Sequence, residues 1–165
     1  MKKALCIAGI IGILATGGWT AGQGGRDISS TQAFRMLGQP DTYLVDVRTV
    51  AEYVYVGHPE KAYNIPLVFW DERNLQTVAN ESFVEDFRAR FKAGDTLILI
   101  CRSGNRSAHA RRMLVREEFK NVFNIKDGFE GTKDRDGHRT LNGWKNEGLP
   151  YTYQLDPALL HLPIK

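Results

Sequence analysis

Cys101-Arg102-Ser103-Gly104-Asn105-Arg106-Ser107 is the segment of this chain best suited to chemistry. It follows directly on the apolar run Thr96-Leu97-Ile98-Leu99-Ile100 and leads into a helical pattern. A cysteine so placed stands at the carboxyl end of a strand, where open α/β sheets take up ligands. The first amides of the helix lack intrahelical acceptors and carry the positive end of its dipole, so they face the loop as anion donors. Gly104 admits positive φ, and Asn105 tolerates it better than most, so successive N–H groups can converge in a nest. Arg102 and Arg106 add two cations. A cation in the first turn of a helix is unfavourable by a few tenths to ~1 kcal/mol, so two of them make sense around an anion. The pattern marks Cys101 as a nucleophilic thiolate, with Arg102, Ser103, Gly104, Asn105, Arg106 and Ser107 as its anion-binding loop.

Cysteine-dependent phosphatases use a loop of related design, with an arginine six places after the cysteine. Here Ser107 occupies that place, and Arg106 comes one residue early. The shorter loop makes a smaller cradle, better suited to a single sulfur than to a tetrahedral phosphate.

The elements that must position this loop alternate strand and helix, which predicts βαβ units and a mainly parallel sheet. Ser29-Ser30-Thr31-Gln32 has capping-box spacing and opens a helix through Leu37, closed by Gly38 and Pro40. Tyr43 to Val47 is a buried strand, and Thr49-Val50-Ala51-Glu52 repeats the box at a short helix. Ala62 to Ile65 is a brief strand stopped by Pro66. Phe83, Phe87 and Phe91 mark the inner face of a further helix. Thr96 to Ile100 is apolar on both faces and reads as the central strand. A helix over Ser107–Glu117 and a strand over Asn121–Ile125 complete the set. Asp134-Arg135-Asp136-Gly137 lacks the full ligand spacing of a calcium loop and reads as a surface turn.

The chain has 165 residues, 42% of them hydrophobic and 25% charged, enough for one domain with its own core. Residues 1–25 differ from the rest. A basic Met1-Lys2-Lys3 start, an apolar run from Ala4 to Ala15 and a small, Gly-rich stretch have the layout of a secretory signal peptide. This predicts a periplasmic or secreted protein with no stable membrane insertion after cleavage. Its removal takes Cys6 and leaves twenty basic side chains (22 less Lys2 and Lys3) against 19 acidic. Cys101 is then the one thiol, which excludes a disulfide scaffold, and the near-neutral remainder argues against a nucleic-acid partner. The division is a signal peptide over 1–25, a domain over 26–150 and a C-terminal tail over 151–165.

The Cys101–Ser107 loop closely resembles the active-site loop of the rhodanese-like sulfurtransferases. Leu44-Val45-Asp46-Val47-Arg48 with Glu52-Tyr53 is similar to the family's first strand and its Asp-Val-Arg signature. Gly57-His58, Ala62-Tyr63-Asn64-Ile65-Pro66, and Gly128-Phe129 with Gly148-Leu149-Pro150 match further motifs in order, from about Asp27 to Pro150. Pro59-Glu60-Lys61 departs from the pattern after His58, and Thr132 to Asn142 looks inserted. The resemblance implies a doubly wound α/β domain, a five-stranded parallel sheet with helices on both faces. It implies ping-pong transfer of a sulfane sulfur through a Cys101 persulfide, with no metal and no organic cofactor. The partners would be a small anionic sulfur donor, such as thiosulfate or a persulfide, and a thiol, cyanide or protein acceptor. Asp46 and Arg48 would support the loop, and His58 would be structural. A carrier that holds the persulfide for one partner protein, with little turnover, fits the same residues.

Overall fold

Residues 26–161 are described in a computed structural model. Residues 1–25, with the signal-peptide assignment and Cys6, lie outside the described residues. In chain order the elements are β1 (Asp27–Ile28), α1 (Ser30–Met36), β2 (Thr42–Asp46), α2 (Val50–Tyr55), β3 (His58–Pro59), β4 (Tyr63–Asn64), β5 (Val68–Asp71) and β6 (Gln76–Ala79). There follow α3 (Phe83–Arg90), β7 (Thr96–Ile100), α4 (Asn105–Arg116), β8 (Asn121–Ile125), β9 (Thr132–Lys133), β10 (Arg139–Leu141) and β11 (Tyr151–Thr152).

The main sheet has five parallel strands in the order β1-β8-β7-β2-β4. Alternation along β7 divides its side chains between two cores. Leu97, Leu99 and the following Cys101 join Val45, Val47 and Val122 under the α3 phenylalanines and Ala110 and Leu114 of α4. Ile98 and Ile100 join Leu44, Ile125, Phe129 and Trp144 with Ala33 of α1. A strand buried on both faces must be apolar throughout, which is why Thr96-Leu97-Ile98-Leu99-Ile100 was legible as central. The helices accordingly lie on both faces, and the fold is the one the sequence resemblance implied.

Several sequence expectations shift by one or two residues, as element ends do. The larger differences are additions. Val68–Ala79, unassigned from sequence, forms the antiparallel β5–β6 hairpin. The segment Thr132–Asn142 carries a second hairpin, β9–β10. Residues 151–161, read as a tail, are tied into the domain. Tyr151 and Thr152 pair antiparallel with Pro59 and His58. The Leu159 carbonyl accepts from the Asn64 amide at 2.8 Å, and the Ala158 carbonyl from Arg90 Nη1 at 3.2 Å.

Candidate active site

Parallel strands all end at the same edge, so the loops after β2, β4, β7 and β8 gather there. The Val47 amide donates to the Ile100 carbonyl at 2.9 Å, and the Leu67 amide to the Val47 carbonyl at 3.0 Å. These bonds carry the loop after β2 and the start of the β5–β6 hairpin to the end of β7. Cys101 lies there, 1% exposed. The Ser107 hydroxyl is 3.2 Å from both Cys101 Sγ and the Gly104 carbonyl, so its single proton can be donated to either.

The loop is held by its carbonyls and by close approaches. The Phe129 amide donates to the Cys101 carbonyl at 2.7 Å and the Glu130 amide to the Arg102 carbonyl at 3.0 Å. Gly104 precedes α4 at φ 89°, and a Cβ there would sit 2.1 Å from the Lys126 carbonyl oxygen. At Gly128, φ 65°, a Cβ would meet the Arg102 carbonyl at 2.6 Å. Both sites require glycine, for backbone sign and for space. The amides are a different matter. Among the described residues, none from Arg102 to Ser107 donates to another group. Six N–H groups in the loop that follows a buried cysteine are left without protein acceptors, as an anion cradle requires.

The two arginines meet carboxylates. Arg106 donates to both oxygens of Glu52 at 2.7 and 2.6 Å, a bidentate pair that joins α4 to α2. Burial would raise the Glu52 carboxyl, but the Arg106 bond and charge, with the Thr49 amide and hydroxyl, hold it at about 2. Arg106 therefore braces the loop. Arg102 Nε donates to Glu130 at 3.1 Å, but Arg102 is half exposed, and such pairs contribute little.

Asp46 and Arg48 form a buried pair behind this layer. Arg48 Nε reaches both Asp46 oxygens at 2.9 Å, and Nη2 bonds Asp46 at 2.6 Å and the Gly57 carbonyl at 2.7 Å. Burial alone would lower the arginine pKa, but Asp46 reverses the direction and keeps it raised. The guanidinium lies over the Phe129 ring, 4.4 Å from its centroid. Asn64 Nδ2 donates to the carbonyls of Asp46 and Arg48 at 3.1 and 3.0 Å, fixing that turn. These residues touch the segment that clamps the cysteine loop, not the sulfur. His58 is buried, stacked on Tyr53 at 3.6 Å, with Nδ1 3.0 Å from the Tyr53 carbonyl.

Sequence reasoning did not find Glu52 as the partner of Arg106, or Glu130 as that of Arg102. Glu52 had a sufficient explanation as the third residue of a capping box, and that box is present too. Between β9 and β10, Asp134 accepts the amides of Asp136 and His138 and Gly137 has φ 87°, a surface turn. Among the described residues, no three histidine, cysteine or acidic side chains stand together as a metal site.

The model of the rhodanese-like domain family matches residues 29–135. The chain belongs to this family. Its relatives include an uncharacterized protein of Rickettsia prowazekii, 33% identical over 131 residues, covering 78% of this chain and 98% of that one. The thiosulfate sulfurtransferase GlpE of Actinobacillus pleuropneumoniae is 27% identical over 124 residues, 75% of this chain and 90% of its own. Among solved structures, the Rv0390 protein of M. tuberculosis aligns with a TM-score of 0.70 at 33% identity, covering 79% of this chain and 99% of that chain. The rhodanese-like domain is thus related to sulfurtransferases through its family and through a named relative.

Proposed function

We propose that this protein is a sulfurtransferase that carries a sulfane sulfur on Cys101. The observation that supports this most strongly is the set of six unengaged amides, Arg102 to Ser107, in the loop that follows the buried Cys101. With thiosulfate as donor, the Cys101 thiolate attacks the outer sulfur. A new S–S bond forms, the old one breaks, and sulfite leaves with the electron pair. The negative terminal sulfur of the persulfide is then solvated by the amides, an oxyanion-hole arrangement applied to sulfur. An acceptor thiolate or cyanide attacks that outer sulfur and releases the Cys101 thiolate, which the Ser107 hydroxyl stabilises. No proton transfer is required within the cradle. Phosphate-ester cleavage is disfavoured because Arg106, the cation nearest in type to a phosphatase arginine, is engaged by Glu52.

Incubation with thiosulfate followed by desalting is expected to add the mass of one sulfur atom, removed again by cyanide. Cys101→Ser should gain nothing, because a hydroxyl is too weakly acidic to attack sulfur at neutral pH. Sulfur loading by that variant, or efficient hydrolysis of aryl phosphates by the wild type, would overturn the reading. The burial of Cys101 favours a carrier as the second reading: stoichiometric loading with negligible steady-state turnover on cyanide would select it. Export is part of the proposal and rests on residues 1–25; intact mass from the native compartment should show a start near residues 18–26, and retention of Cys6 would refute it.

A further inference from the structure

The exposed face of α4 is basic, and it begins at the cysteine loop. Asn105, His109, Arg112 and Arg116 recur at helical spacing on the side opposite the buried Ser107, Ala110 and Leu114. Arg102 lies just before the helix, and Lys126 adjoins Gly104 through its backbone. All six of these residues are exposed. Among the described residues, Arg112, Arg116 and Lys126 meet no carboxylate, whereas Arg88, Arg102, Arg106 and Arg111 each do. Helix stability explains Arg116, a cation in the last turn, but not Arg112 in mid-helix or Lys126 beside the first turn. The chain beyond residue 25 carries almost equal numbers of each sign, so this stripe is a local segregation of charge and not a consequence of composition.

The stripe runs about 16 Å along α4, at 1.5 Å per residue. That is far longer than thiosulfate or cyanide and matches a macromolecular contact. Cys101 is buried, so an acceptor must bring its sulfur into the cradle while the rest of it lies on the adjoining surface. We propose that this face of α4 docks an acceptor protein whose reactive thiol is bordered by carboxylates. The proposal rests on the sulfurtransferase reading and names the acceptor class for the same site. An anionic lipid surface would complement the same charges, but it offers no thiol at the loop where the stripe begins.

The test uses two synthetic peptides, each with one central cysteine, flanked in one by glutamates and in the other by lysines. Protein loaded from thiosulfate is mixed with each, and loss of the added sulfur is followed by mass spectrometry. At roughly 20 mM salt the glutamate peptide should be favoured by roughly tenfold relative to its preference with Arg112→Glu/Arg116→Glu. Comparing wild type with variant cancels the intrinsic reactivities of the two thiols. At roughly 500 mM salt, where the Debye length falls well below 10 Å, the difference should collapse. Transfer to 2-mercaptoethanol, which is neutral, should be the same in both proteins. Anisotropy of the fluorescent glutamate peptide on unloaded protein should show salt-sensitive binding that the variant loses. Equal peptide ratios in wild type and variant, or binding only to phosphatidylglycerol vesicles, would overturn the proposal. Failure to load with thiosulfate would instead refute the sulfurtransferase reading, and the anisotropy measurement would still decide the docking face.

Discussion

Glu52 caps α2 through Thr49 and holds both nitrogens of Arg106, so one carboxylate joins two helix starts. Its pKa, about 2 against an ordinary 4.5, sets the sign of a pH effect. A depressed carboxyl contributes stability that is complete above about 4.5 and is lost as pH falls toward 2. Glu52→Gln is expected to lose about 1–2 kcal/mol at pH 7, a partly buried charged hydrogen bond, and to flatten the decline between pH 4.5 and 2. Urea unfolding across that range checks it, and sulfur loading should fall as Arg106 is released. His58 acts at a higher pH. Burial lowers its pKa, so the unfolded chain takes up a proton first as pH drops below about 6.5, and stability falls with it. His58→Phe should flatten that slope between pH 7 and 5. The cysteine loop was legible from sequence because its signals are contiguous: apolar strand, glycine, helix start. The Arg106–Glu52 pair spans 54 positions and leaves no local mark.

Among the elements, the capping boxes at Ser29–Gln32 and Thr49–Glu52 were readable by spacing alone, and both are formed reciprocally. Ser29→Ala should cost about 1 kcal/mol, seen as a lower Tm, while sulfur loading is retained. Gly104→Ala should do more. It forces a side chain into positive φ and against the Lys126 carbonyl, so a loss of about 1–3 kcal/mol or more is expected together with most of the loading. Retained loading in that variant would show that the loop shape does not govern the chemistry. The β5–β6 hairpin escaped sequence reading for a physical reason. All four residues of β6 are exposed, and Trp70 is too, so no buried face imposes a polar–apolar alternation.

Over the whole molecule, residues 151–161 act as an outer edge for the sheet. The Leu159 carbonyl takes the Asn64 amide, and β11 covers β3. Ending the chain at Pro150 should therefore lower Tm by roughly 5 °C or more, since each lost backbone bond is worth about 1 kcal/mol. Calorimetry of the truncated and full-length chains compares them directly. The β9–β10 hairpin stands in another relation to the body. A Cβ on Gly143 would lie 2.4 Å from the Gly131 amide nitrogen, and one on Gly131 would lie 2.2 Å from the Leu141 carbonyl. The two strands of the neck touch backbone to backbone before the hairpin departs, and Asn146 Nδ2 ties it at the Glu130, Arg139 and Asn142 carbonyls. A segment whose ends already meet is an exchangeable cassette. Its length and charge can drift, or be rewritten by grafting, with the sheet and the cysteine loop left undisturbed.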